Sequence, residues 1–129
     1  RRVEANDITR FNHTVILAVD SIEARRMIVE KITQEDHPVY HVFDTRMAST
    51  HGDIYYFSPN PISTKRYLEA LPTDEETEVS SCGTSLTVGT TASIIANLAV
   101  WQLMHQRHNP EAMDKGINIF LKPLCVSTT

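Results

Sequence analysis

Residues 14–33 read TVILAVDSIEARRMIVEKIT, in which a strand pattern is followed directly by a helix pattern. The run TVILAV at 14–19 is apolar and rich in β-branched residues, which predicts a strand buried on both faces. A helix is predicted to begin at Asp20 or Ser21 and to end near Thr33. Its apolar side chains recur every three or four residues and form one stripe, which consists of Ala24, Met27, Ile28 and Ile32.

The rest of the chain continues this alternation of strands and helices. We expect further strands over residues 38–43, 52–58 and 117–121, and helices over residues 62–71 and 84–107. A strand–helix–strand unit predicts a parallel pair of strands, and the later strands are expected to join the sheet antiparallel. The predicted fold class is therefore α/β, a Rossmann-like mixed sheet with flanking helices in a single domain.

Composition excludes several classes of function. Only four of the 129 residues are glycine (Gly52, Gly83, Gly89 and Gly116), so neither a G-x-G-x-x-G fingerprint nor a G-x-x-x-x-G-K-[ST] phosphate loop occurs. A net charge of −4, with 12 Lys and Arg residues, argues against a nucleic-acid surface. Two cysteines are too few for a four-cysteine zinc site, so we expect no zinc and a reducing, cytoplasmic compartment.

The predicted long helix carries no charge over residues 84–104. That length could cross a membrane, but the stretch is rich in Ser, Thr, Asn and Gln. We therefore expect a buried core helix and no membrane partner. Ile94, Leu98 and Trp101 lie on one stripe of this helix, which we expect in the core, with a dimer interface as the alternative.

Asp20 is the most informative polar residue, because it ends a buried strand and begins a helix. Ligands of open α/β sheets bind at the carboxyl ends of the strands, and a carboxylate there can hold Mg²⁺ beside nucleotide phosphates. A helix cap is the alternative interpretation, since Glu23 follows three residues later as in a capping box. The two roles are compatible.

Asp44 and Arg46 follow the second predicted strand at what we expect to be the same edge of the sheet. They could face the crevice beside Asp20, because the ends of adjacent parallel strands lie about 5 Å apart. A local ion pair on a turn is the alternative.

Cys82 lies just before the long helix, where the helix N-terminus can favour a thiolate. An unreactive thiol is the alternative. The six histidines lack the spacing of a metal site, because His37 and His41 flank a strand and His105 and His108 end a helix.

Four blocks of sequence together resemble the ThiF/MoeB/ubiquitin-activating (HesA-like) superfamily of adenylyltransferases. VILAVDSIEARRMI at 15–28 resembles its strand–Asp–helix segment, and VFDTRMASTHGDIYYFSP at 42–59 is similar to the next two strands. SSCGTSLTVGTTASIIANLAVWQLM at 80–104 resembles the Cys-containing turn and long helix, and INIFLKPLCV at 117–126 resembles the closing strand. The order of the blocks is more specific than any one of them.

The resemblance implies an enzyme that activates the C-terminal carboxylate of a ubiquitin-like or sulfur-carrier protein. ATP and Mg²⁺ are the implied cofactors, an acyl-adenylate and pyrophosphate the products, and a homodimer the implied assembly. Asp20 resembles the Mg²⁺- and ATP-binding aspartate of the family. Ser21 and Arg25 match the pattern that follows it, and Arg25 is expected to be structural or at the rim of the site.

The resemblance also implies roles for residues later in the chain. Asp44 and Arg46 would line the crevice that receives the carrier tail. Cys82 is a candidate for the family's catalytic cysteine, which ordinarily lies in a crossover loop and is absent from some members.

The chain departs from the family in lacking a glycine-rich ATP loop before Asp20. We therefore expect residues 1–129 to be a single partial domain, the C-terminal half of an adenylyltransferase domain, and to be inactive alone. Two alternatives remain open, namely a non-catalytic binding or dimerisation module of the same fold and the second half of an unrelated Rossmann-like oxidoreductase.

Overall fold

The computed structural model describes residues 13–19, 21–34, 38–48, 50–72, 86–109, 116–121 and 123–129. These residues form five strands and three helices. The strands are β1 (His13–Leu17), β2 (Val39–Met47), β3 (His51–Phe57), β4 (Gly116–Leu121) and β5 (Leu124–Thr128). The helices are α1 (Ile22–Gln34), α2 (Pro61–Ala70) and α3 (Leu86–His108).

The strands form one mixed sheet in the order β1-β2-β3-β4-β5. Helix α1 connects β1 to β2, as a crossover between parallel neighbours requires, whereas a short turn joins β2 to β3 as an antiparallel hairpin. β4 pairs antiparallel with β3 and with β5. The predicted α/β class, a Rossmann-like mixed sheet with flanking helices, is confirmed.

Three strands differ from their predictions. In β1, Ile16 is 45% exposed, so this strand is not buried on both faces. β2 continues four residues beyond the predicted end at Phe43 and reaches Met47. β5 was not predicted. Pro123 lies in the connection between β4 and β5, where a missing N–H costs nothing.

The chain forms two compact units, of which the first comprises Arg1–Phe43 and Phe57–Glu78. Ile28, Val29 and Ile32 are the buried side of α1, and Tyr67 of α2 is fully buried. The Tyr67 ring stacks on Phe57 with centroids 4.6 Å apart. The two helices of this unit are joined by a hydrogen bond of 2.8 Å between the hydroxyls of Thr33 and Thr64.

The second unit comprises Asp44–Tyr56 and Val79–Thr129. Its core cluster consists of Ile54, Ile117 and Ile119 from the strands, and Ile95 and Ala99 from α3. Helix α3 approaches β3 at Gly52, where an added Cβ would overlap Cδ1 of Ile95. This part of the sheet is therefore covered by α3 on the face that carries Ile54.

The buried side of α3 differs from the predicted stripe. Trp101 is 50% exposed and stacks on His105, while Ile94 and Leu98 are half-buried at the edge of the core cluster. Over residues 89–108 of α3, the buried positions are instead Thr91, Ile95, Ala99, Gln102 and Gln106. Among the described residues, no helix is long and apolar enough to cross a membrane.

Candidate functional site

The connection from β1 to α1 is the first candidate site. Asp20 itself lies outside the described residues, but the residues on both sides of it are described. The Ser21 hydroxyl accepts a hydrogen bond from the Ala24 backbone N–H at 3.2 Å, and the Ser21 carbonyl accepts from the Arg25 N–H at 3.2 Å. Ser21 is therefore the N-cap of α1, which is the role that the sequence left open for Asp20.

Arg25 lies in the interior, with an exposed fraction of only 6%. Its guanidinium donates a hydrogen bond to the carbonyl oxygen of Val19, the residue before Asp20. The side chain therefore ties the first turn of α1 to the chain that leaves β1. The sequence analysis expected Arg25 to be structural or at the rim of the site, and its role in the site stays a prediction.

Asp44 and Arg46 form the second candidate site. Both lie within β2, so the expectation that they follow the second strand was wrong. Residues two apart in a strand point to the same face, and here Nε of Arg46 donates to Oδ2 of Asp44 at 2.6 Å. The Asp44 side chain is fully buried and that of Arg46 is 23% exposed. The local ion pair that the sequence left open is therefore present.

Two further titratable residues lie beside this pair, and the sequence analysis did not single them out. His51 and Asp53 are two residues apart in β3, at the positions that face Phe120 and Asn118 of β4. Burial raises the pKa of the Asp53 carboxyl; the Arg46 and His51 side chains lower it, and Asp44 raises it. Alternation along the strand predicted at residues 52–58 was the available signal for Asp53, whereas His51 lay just outside that predicted strand.

Replacing Asp53 by asparagine is expected to stabilise the protein at pH 7. Because the pKa of Asp53 is raised on folding, the folded state binds the proton more tightly, and stability falls as the pH rises above the ordinary value of 3.8. Asparagine resembles the protonated form, so the gain should disappear in acid. Denaturant unfolding as a function of pH measures this, with the exposed Glu69→Gln as the control of equal charge change.

Other candidate residues give little geometry. Cys82 lies outside the described residues, whereas Cys125 is an exposed free thiol on β5. Within the described ranges, no three His, Cys, Asp or Glu side chains group as a metal site. A cleft of about 510 Å³ between α1 and α2 is lined by residues that include Arg26, Glu30 and Lys65, but by none of the predicted site residues.

Comparison with known proteins gives a family and a fold. The model of the ThiF family matches residues 3–118. The crystal structure of selenomethionine PaaA is similar with a TM-score of 0.58 and 11% sequence identity, over 96% of this chain and 44% of that chain. This likeness shows the fold alone, and the chain spans less than half the length of that structure. No curated protein matches.

Proposed function

Because the chain belongs to the ThiF family, we propose that it is a portion of an ATP-dependent adenylyltransferase that activates the C-terminal carboxylate of a ubiquitin-like or sulfur-carrier protein. The observation that carries the proposal is the family match over residues 3–118, which includes every residue proposed for the site. In the complete protein, a carboxylate oxygen of the carrier attacks the α-phosphorus of ATP, pyrophosphate leaves, and an acyl-adenylate forms.

Asp20 is proposed as the Mg²⁺ and ATP residue. Mg²⁺ commonly takes one or two protein carboxylates and completes its shell with water and phosphate oxygens, so a single aspartate fits the protein's share of such a site. When bound, Mg²⁺ compensates the charge on the phosphates. Support comes from the neighbours, because Arg25 holds the carbonyl of Val19 and Ser21 caps the helix that follows.

Ser21 and Arg25 are proposed to have different roles in this nucleotide site. The hydroxyl of Ser21 accepts the capping bond through an oxygen lone pair, and its O–H can donate to a phosphate oxygen. Arg25 is a positioning residue, because its guanidinium is buried and bonds to the Val19 carbonyl.

Asp44 and Arg46 are proposed to bind the carrier tail. A guanidinium presents its five N–H donors in a rigid plane, so the bond from Nε to Asp44 fixes the direction of the whole group. Arg46 is partly exposed whereas Asp44 is buried, so the two residues suit different roles. Arg46 would contact the tail, and Asp44 would orient Arg46.

The test is ATP–pyrophosphate exchange in the presence of a carrier protein. We expect none from the 129-residue chain, because adenylation needs preorganised N–H donors around the phosphates and the stretch before Asp20 contains no glycine for such a loop. We expect exchange from the complete protein. Exchange reports adenylation alone, in which no thiol takes part, so Cys82→Ala should leave it unchanged. A need for the proposed catalytic thiol would show in formation of a carrier thioester, in which the thiol displaces AMP from the acyl-adenylate. Carrier-dependent exchange by the short chain would contradict the proposed truncation.

The two alternatives predict different results in the same assay. A non-catalytic ThiF-like module would give no exchange even as the complete protein, although it would still bind its partner. A nicotinamide oxidoreductase would bind a dinucleotide instead, and the family match speaks against it. The sequence upstream separates all three, since only the adenylyltransferase needs a glycine-rich loop followed by Arg and Lys positions.

A homodimer and a cytoplasmic location complete the proposal. The homodimer is implied by the family resemblance, and sedimentation as a monomer at tens of micromolar would count against it. The location is inferred from the two cysteines, which do not form a disulfide framework. No nucleic-acid or membrane partner is proposed, because the net charge is negative and residues 86–104 of the uncharged stretch lie in α3, which contributes Ile95 and Ala99 to the core cluster.

A further inference from the structure

Within the part of the chain that the structure describes, β5 is the last strand in the order of the sheet, and all five of its residues are exposed. An outer strand presents a row of backbone N–H and C=O groups that can pair with another chain. Natural proteins commonly block such an edge with a charged side chain, a proline or a bulge. β5 has the sequence LCVST, which contains neither a charge nor a proline.

The pairing with β4 shows which backbone groups of β5 point outward. The Thr129 N–H donates to the Gly116 carbonyl at 2.9 Å, and bonded pairs alternate along an antiparallel ladder. Ser127 and Cys125 are therefore the residues of β5 that bond to β4, opposite Asn118 and Phe120. By the same alternation, the N–H and C=O groups of Leu124, Val126 and Thr128 point away from β4.

We propose that β5 pairs antiparallel with β5 of a second copy of this chain, about a two-fold axis at Val126. The proposal names the surface of the homodimer proposed above and rests on that part of the proposed function. In this register Val126 lies opposite the partner's Val126 as a bonded pair, because both point their backbone groups outward. A two-fold interface of this kind uses one surface twice.

The side chains suit self-pairing. On one face, Leu124 lies opposite the partner's Thr128, and the two valines lie side by side. On the other face, Cys125 lies opposite the partner's Ser127, so small residues meet small residues. Residues 123–129 carry no charge, so two copies meet without like-charge repulsion despite the net charge of −4.

Apolar exposure favours a second strand rather than solvent at this edge. Leu124 is 74% exposed and Val126 is 52% exposed, and the two-fold axis would bring the two Val126 side chains together and place Leu124 beside Thr128 of the second copy. An unrelated extended peptide could satisfy the same backbone groups. It would not reproduce the register, which is what the experiment measures.

The register is tested with Ser127→Cys. Cys125 and residue 127 of the second copy form a non-bonded pair, in which Cα atoms lie about 4.5 Å apart and a disulfide can close. Within one chain, residues 125 and 127 project from the same face of β5, with Cα atoms about 6.7 Å apart. Their Cβ atoms are then too far apart for a disulfide, so a bond within one chain cannot close. Under mild oxidation we expect a disulfide-linked dimer as the main species on a non-reducing gel.

The matched control is the double variant Cys125→Ser/Ser127→Cys. It keeps a thiol on the same face of β5 and keeps Cys82, but its new thiol lies opposite a hydroxyl, because position 125 of the second copy no longer carries a thiol. We expect no more linked dimer than in the unaltered chain. An equal yield from the control and from Ser127→Cys would overturn the register.

A second variant tests the surface without a disulfide. Val126→Lys places two ammonium groups beside each other at the axis and should abolish the dimer in sedimentation velocity, whereas Val126→Thr, which stays β-branched and uncharged, should preserve it. If the chain is a dimer that Val126→Lys does not alter, the β5 surface is wrong and the homodimer stands. If the unaltered chain is a monomer, both the β5 surface and the homodimer are wrong. The exchange assay then tests the proposed adenylyltransferase activity separately.

Discussion

Replacing Asp44 by alanine is expected to lower the free energy of unfolding by about 3 kcal/mol, because it leaves the Arg46 guanidinium without its buried carboxylate. The Asp44 side chain is fully buried and accepts from Nε of Arg46 at 2.6 Å. Removing one partner of a buried pair costs about 3–5 kcal/mol in general. The lower end is expected here, because Arg46 keeps 23% exposure and can be partly solvated.

The double variant Asp44→Ala/Arg46→Met is the control for this prediction. It removes both charges and keeps most of the Arg46 stem, so it should be more stable than Asp44→Ala alone. Denaturant unfolding of the two single variants and the double variant gives the coupling energy of the pair. A loss below about 0.5 kcal/mol for Asp44→Ala would show that the pair contributes as little as an ordinary surface pair.

The pair also shows how far sequence predicts a site. Asp44 and Arg46 were identifiable because a carboxylate and a guanidinium follow an apolar strand, and their spacing of two residues allowed an ion pair. Their place within β2 was not predicted, since the apolar residues 39–43 ended before the strand did. Hydrogen bonding within the β2–β3 hairpin, including the Ala48 N–H to the His51 carbonyl at 2.9 Å, accompanies the longer strand.

The helices also show a difference between what local sequence predicts and what packing against other elements decides. The apolar stripe of α1 was predicted correctly at Ile28 and Ile32, because most of the charged residues mark the other side; Arg25 is the exception and is buried. Helix α3 has no charge before Arg107, and its apolar residues occur on all sides. The local sequence therefore does not indicate which side of the helix is buried. Its buried side is set by the strands against which it packs, through Ile54, Ile117 and Ile119. Trp101 was therefore placed in the core and is half exposed.

The close approach of α3 to β3 leads to the other large effect. Replacing Gly52 by alanine is expected to cost about 3 kcal/mol, at the upper end of the usual range for overpacking. The new Cβ would overlap Cδ1 of Ile95 and lie 2.7 Å from the carbonyl oxygen of Arg46. Ile95 is buried in the core cluster and the carbonyl belongs to the backbone of β2, so neither can move without disturbing its own contacts.

Two further variants separate this steric cause from a general effect of glycine. Gly89→Ala lies in α3 with nothing within 4 Å of the new Cβ, and it should stabilise the protein by about 0.5–1 kcal/mol. Ile95→Val deletes the Cδ1 methyl that the new Cβ would meet, so Gly52→Ala/Ile95→Val should recover part of the loss. Thermal unfolding of the unaltered chain, the three single variants and the double variant decides the point. A double variant that costs the sum of its single variants would mean that contact with Ile95 is not the cause.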